Sequence, residues 1–107
     1  MDDRAVLYVT CGSHDEALKI GRALVEERLA ACANILSPHT AVYRWEGALQ
    51  QDAETGLLLK TRGDLVDRAT ARIKALHGYT VPCVVALPIV GGNPDFLAWI
   101  GAETVSV

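Results

Sequence analysis

Three cysteines and three histidines carry the soft and borderline donor atoms of this 107-residue sequence: Cys11, Cys32, Cys83, His14, His39 and His77. Thiolate and imidazole together suit ions such as Cu(I) and Zn(II). Their spacing is not diagnostic, because neither Cys-x-x-Cys nor His-x-x-x-His occurs. Cys11 closes an apolar run, His77 precedes a glycine and Cys83 follows a proline. Two readings stand side by side. In one, these three gather as ligands. In the other, the cysteines are small buried hydrophobes and His77 caps a helix end. Cys32 lies in an alanine-rich stretch and reads as core, while His14 and His39 read as solvated.

A second constellation is polar and aromatic: Arg44, Trp45, Glu46, Lys60, Tyr79 and Trp99. Trp45, Tyr79 and Trp99 with Lys60 could line a cleft between subunits that holds an anionic small molecule. The competing reading is hairpin and interface packing, which uses tryptophan and tyrosine heavily. Signatures of catalysis are missing: Gly-x-Ser-x-Gly, the phosphate-binding Gly-x-x-x-x-Gly-Lys-Ser/Thr loop and His-Glu-x-x-His do not occur. Gly91-Gly92-Asn93 reads as a turn before a helix. No enzymatic activity is expected.

These residues must be positioned by a single domain, residues 1–107, since a second core would not fit. Half the residues are hydrophobic and 21% are charged, as in ordinary soluble domains. A net charge of −3 and scattered lysines and arginines disfavour nucleic acid and membrane surfaces as partners. The acidic start Met1-Asp2-Asp3-Arg4 lacks signal-peptide character, and no apolar run reaches membrane-spanning length. Three widely spaced cysteines point to a reducing compartment, the cytoplasm.

Ala5–Cys11 is apolar and β-branched, and reads as a buried strand. Ser13 and Glu16 form a capping box that starts a helix, whose apolar stripe runs on to Leu29. Ala30–Ile35 either extends that helix or begins a strand, and Ser37-Pro38 interrupts it. Ala41–Trp45 and Glu54–Thr61 read as a hairpin around the Glu46-Gly47 turn, with Ala41, Tyr43 and Trp45 on one face. A second helix follows Gly63 with Asp64 as N-cap, and ends at Gly78 with His77 in its last turn. Cys83–Leu87 is a fourth strand. A short last helix has Asn93 as cap, Pro94 at its first position and Gly101 at its end. The order β-α-β-β-α-β plus a terminal helix is the ferredoxin-like α+β pattern, with both long helices on one face of an antiparallel sheet. Strands one and four are apolar on both faces, so the other face needs a cover that a partner subunit could supply.

Several stretches resemble the CutA divalent-cation tolerance family. Leu24–Ile35 looks like its helix-to-strand junction, and Tyr43-Arg44-Trp45-Glu46-Gly47 resembles its Tyr-x-Trp-x-Gly hairpin. Lys60-Thr61 resembles the end of its third strand. His77, Tyr79 and Pro82 match its His-Pro-Tyr-x-x-Pro-Glu segment. Phe96–Ile100 resembles its closing aromatic helix. The matches run in order along nearly the whole chain. Gly78, Thr80 and Cys83 depart from the pattern, Cys83 standing where the family has glutamate.

The resemblance implies a ferredoxin-like subunit in a homotrimer similar to PII-type signal proteins, its long hairpins pairing between subunits. It implies a role in tolerance of divalent cations, chiefly copper, with no obligatory cofactor. The family's proposed metal ligands fall on Cys11, His77 and the Cys83 position, and a thiol at 83 favours softer ions. A PII-like sensor or scaffold binding a metabolite at the subunit interface is the alternative, and a hydrolase at that interface a more distant one.

Overall fold

The computed structural model describes residues 3–106. Met1 and Asp2, part of the acidic start, lie outside them. Strand β1, Arg4–Cys11, occupies the middle of the sheet. Its alternation sends Ala5, Leu7, Val9 and Cys11 to one face, where all four are buried. Helix α1, His14–Glu26, follows. The hairpin strands β2 and β3 span Cys32–Trp45 and Ala48–Arg62. A 3-10 turn at Gly63–Leu65 leads into α2, Val66–Leu76, then β4, Val84–Ile89, and α3, Pro94–Ala102. The sheet order is β2-β3-β1-β4 and every neighbouring pair is antiparallel. The ferredoxin-like pattern read from the sequence is therefore the architecture.

Helices α1 and α2 bury Ala17, Ile20, Leu24, Ala69 and Ile73 against Leu7, Val9, Leu57 and Leu59. Gly21 lets α1 lie close to the sheet: a Cβ there would meet the Ala33 Cβ at 3.0 Å and Leu57 Cδ1 at 3.3 Å. The opposite face carries cross-strand rows read directly from the register. Asn34, Leu58, Tyr8 and Val85 form one row; Cys32, Lys60, Val6 and Leu87 form the next. Helix α3 reaches one end of this face. Arg4 Nε donates to the Leu97 carbonyl at 2.8 Å, and the Lys60 ammonium lies 5.7 Å from the Phe96 ring centre.

Several boundaries differ from the sequence reading, each for a physical reason. Helix α1 stops at Glu26 because Arg28 turns left-handed, with φ 59°, where its guanidinium reaches the Ala102 and Glu103 carbonyls. Leu29 stays buried beyond the helix. Ala31 pairs back to the Lys60 carbonyl, and strand β2 begins at once at Cys32. Ser37-Pro38 does not break the strand. The register shifts between Ile35 and Pro38, and the edge position tolerates the proline. Asp64 caps nothing, because the Arg62 guanidinium holds its carboxylate at 3.0 and 2.9 Å. Asn93 caps α3 as expected, accepting from the Asp95 N–H at 3.0 Å. Cys32 is not core: it is half-buried on the α3-side row, with Lys60 Nζ 3.8 Å from its sulfur.

Candidate functional site

The end of β1, the start of α1 and the end of α2 meet at one point. Ser13 caps α1, its Oγ accepting from the Glu16 N–H at 3.1 Å. Glu16 does not return the bond to Ser13. Its Oε1 accepts from the Gly12 N–H and its Oε2 from the Gly78 N–H, both at 3.0 Å. The carboxylate thus ties α1 to the loop after α2. His77 completes the tie. Its Nε2 lies 2.7 Å from the Thr10 carbonyl, and its Nδ1 accepts from the Tyr79 N–H at 3.0 Å. A carbonyl only accepts and an amide N–H only donates, so the imidazole proton is on Nε2.

The Cys11 thiol points into the same place. Ligand atoms of Cys11, Glu16 and His77 all lie within 4.8 Å of one another. Burial, then the Glu16 and Glu54 carboxylates, push the Cys11 thiol up from 9.0 to about 12. Cys83 does not join this group. Val9 pairs with Val84, so Cys83 falls beside Thr10, one step out of phase with Cys11. Residues one apart on a strand face opposite sides of the sheet. Cys83 is accordingly exposed and lines a cavity on the far side. Glu16 takes its place beside Cys11 and His77. The sequence marked Glu16 only as a helix-capping residue, and that was the available signal.

The cavity on the far side is an open cleft of about 720 Å³. Trp45 and Tyr79, two of the four residues read from the sequence as an interface pocket, line it. Lys60 and Trp99, the other two, do not. Lys60 donates to Asn34 Oδ1 at 2.7 Å, and the Trp99 ring packs 5.4 Å from Phe96. Glu54 and His39 are among the lining residues that the sequence reading did not place there. Glu54 is nearly buried, accepts from the Tyr79 hydroxyl at 3.0 Å, and faces His39 Nε2 at 3.9 Å. His39, read as solvated, is the cross-strand partner of Glu54. Burial and the Glu54 carboxylate push the Tyr79 phenol up from 10.0 to about 12. His14 is exposed at the start of α1, as expected.

The description "CutA1 divalent ion tolerance protein" belongs to a family model that matches residues 5–103. The chain belongs to this family. It is 48% identical over 99 residues to the divalent-cation tolerance protein CutA of Thermus thermophilus, covering 92% of this chain and 96% of that one. Protein CutA of Mus musculus is 41% identical over 100 residues, 94% of this chain and 56% of the mouse protein. The chain therefore spans little more than half the length of that relative. The crystal structure of CutA1 from Oryza sativa superposes with a TM-score of 0.95 at 42% identity, covering 98% of this chain and 96% of that one. The CutA resemblance and its ferredoxin-like subunit thus hold across the chain. No helix among the described residues is long and apolar enough to cross a membrane.

Proposed function

We propose that this divalent-cation tolerance family member works as a cytoplasmic homotrimer that takes up copper or another divalent or soft metal ion through Cys11, Glu16 and His77. The observation that supports the metal reading most is the convergence of these three side chains to within 4.8 Å. One thiol, one carboxylate and one imidazole make a donor set suited to a borderline ion such as Zn(II), or to copper. Loading competes with bonds already made. The Cys11 proton must leave, Glu16 must turn a remaining lone pair to the ion or release an amide, and His77 must give up the Tyr79 N–H if Nδ1 binds, or both of its bonds if Nε2 does. Only an ion with strong thiolate affinity offsets these losses, and its uptake releases protons.

The trimer is supported by apolar surface that a single chain leaves open. Val85 and Leu87 on β4 and Val42 and Leu49 on the hairpin are all about half exposed or more. Such a surface marks an interaction site. Three free thiols accord with a reducing compartment.

An anaerobic competition titration with Cu(I) and Zn(II) tests the metal reading. Wild type is expected to bind with proton release. Cys11→Ser should weaken binding by more than the roughly 10–100-fold that losing an outer-shell partner costs. Glu16→Gln distinguishes this ligand set from one that uses Cys83. If Cys83→Ser weakens binding and Glu16→Gln does not, Cys83 is the third ligand. If Cys11→Ser binds as tightly as wild type, the cluster is a structural tie only.

A further inference from the structure

The segment between α2 and β4 is held by few bonds, and the candidate ligands accept most of them. Residues 78–82 form an irregular turn. Among the described residues they donate three hydrogen bonds to the rest of the chain, all from Gly78 and Tyr79. The Gly78 N–H goes to Glu16 Oε2, the Tyr79 N–H to His77 Nδ1 and the Tyr79 hydroxyl to Glu54 Oε2, each at 3.0 Å. The Tyr79 ring also lies against the His77 ring, with centres 4.7 Å apart. Two of the three acceptors therefore belong to the cluster of Cys11, Glu16 and His77. Gly78 has no positive φ, so its backbone does not demand glycine. A Cβ there would meet Glu16 Oε2 at 2.9 Å, so the glycine lets the carboxylate close on the turn.

The Tyr79 backbone bond and a bound ion exclude each other. A neutral imidazole has one N–H and one lone pair in the ring plane. Here the lone pair is on Nδ1 and receives the Tyr79 N–H, while Nε2 gives its proton to the Thr10 carbonyl. An ion at Nδ1 takes that lone pair directly. An ion at Nε2 sends the proton to Nδ1, where it would face the Tyr79 N–H. Tyr79 loses its acceptor either way. We propose that residues 78–82 are an ion-released latch: uptake by Cys11, Glu16 and His77 frees the Tyr79 N–H and loosens the segment. The inference rests on the metal reading above and adds a conformational consequence to it. The loosened segment stays tied to the hairpin through the Tyr79 hydroxyl, because Glu54 is on β3 and pairs across the strands with His39 of β2. All of these bonds lie within one chain. Since the ion binds only the released form, a change that weakens the latch strengthens ion binding.

The test uses the full chain in its native assembly, with Zn(II) as the probe because it is diamagnetic. Nitrogen-15 NMR of the ion-free protein should show His77 with its proton on Nε2. On loading with Zn(II), the Tyr79 amide should exchange its hydrogen about tenfold faster, while the Leu7 amide in the middle of the sheet stays protected. Two variants isolate the backbone bond. Tyr79→Ala and Tyr79→Pro both lose the ring and the hydroxyl, but only the proline also loses the N–H. Tyr79→Pro is expected to bind Zn(II) about two- to tenfold more tightly than Tyr79→Ala, the worth of one hydrogen bond. A purely structural role for Tyr79 predicts no such difference. If Tyr79→Pro unfolds, the exchange measurement on wild type decides alone. Zn(II) binding that leaves Tyr79 exchange unchanged, equal affinity of the two variants, or a proton on Nδ1 in the ion-free protein overturns the latch and leaves the metal reading standing. Failure of both Zn(II) and Cu(I) to bind removes the metal reading, and the latch falls with it.

Discussion

Cys11, Glu16 and His77 show how one carboxylate can serve two ends. Glu16 joins the Gly12 and Gly78 amides, and the same negative charge contributes to holding the Cys11 thiol protonated. The consequence for stability has a definite sign. The folded thiol keeps its proton to about pH 12, whereas the unfolded thiol loses it near 9.0. The unfolded state therefore binds fewer protons above pH 9, and stability falls as pH rises from 9 towards 12. Tyr79 adds to the fall between about 10 and 12, because its phenol is raised in the same direction. Thermal melts across this range should show a steep decline in wild type. Cys11→Ala should make the decline shallower and move its onset to the tyrosine range. An unchanged pH profile in Cys11→Ala would show that the thiol is not held protonated by the fold.

Helix α1 and the hairpin depend on residues that leave space. Gly21 is fully helical, where glycine ordinarily costs about 0.5–1 kcal/mol relative to alanine. That cost is offset by close packing, since Ala33 and Leu57 fill the room a side chain would need. Gly21→Val should destabilise by about 1–3 kcal/mol through overpacking, read as a lower denaturant midpoint with an unchanged slope. A neutral effect would mean that the helix can lift from the sheet without loss. At the hairpin tip Glu46 and Gly47 both have positive φ, 49° and 80°, and Trp45 pairs with Ala48. This is the two-residue loop whose twist matches the flanking strands. It keeps the strands in register out to the tip, so Tyr43 and Trp45 reach the cavity. Gly47→Ala has open space around it, yet should cost about 1–2 kcal/mol from the left-handed backbone alone.

The whole chain is elongated, 43 × 25 × 23 Å, because the hairpin extends well beyond the part of the sheet that the helices cover. Trp45 near its tip is 44% exposed in the single chain. A tryptophan so placed adds little to the stability of one subunit. In the proposed trimer it becomes an interface anchor, where truncation costs about 2 kcal/mol or more. Sedimentation equilibrium should therefore give three subunit masses for wild type and a concentration-dependent shift to smaller species for Trp45→Ala. A stable wild-type monomer would remove the trimer, and an unchanged trimer in Trp45→Ala would remove Trp45 as its anchor.

The order of elements was legible in the sequence because its signals are local. The apolar, β-branched run Ala5–Cys11, the Ser13 cap, the Glu46-Gly47 turn and the Asn93-Pro94 start each depend on a few neighbouring residues, and each formed as read. The family motifs were legible for the same reason. What the tertiary structure decided is which distant side chains share a face. Cys83 was a sound candidate by type and by alignment, but pairing of Val9 with Val84 puts it out of phase with Cys11. Glu16 reaches His77 across 61 residues of chain, because α1 and α2 pack side by side on the sheet. Lys60 and Trp45 both lie on the hairpin strands. Yet Lys60 belongs to the row beneath α3 while Trp45 lies near the tip, and the register shift at Ile35 to Pro38 lies between their pairing segments. Side-chain parity changes with every residue and every bulge, so only the completed pairing of strands determines which chemistry comes together.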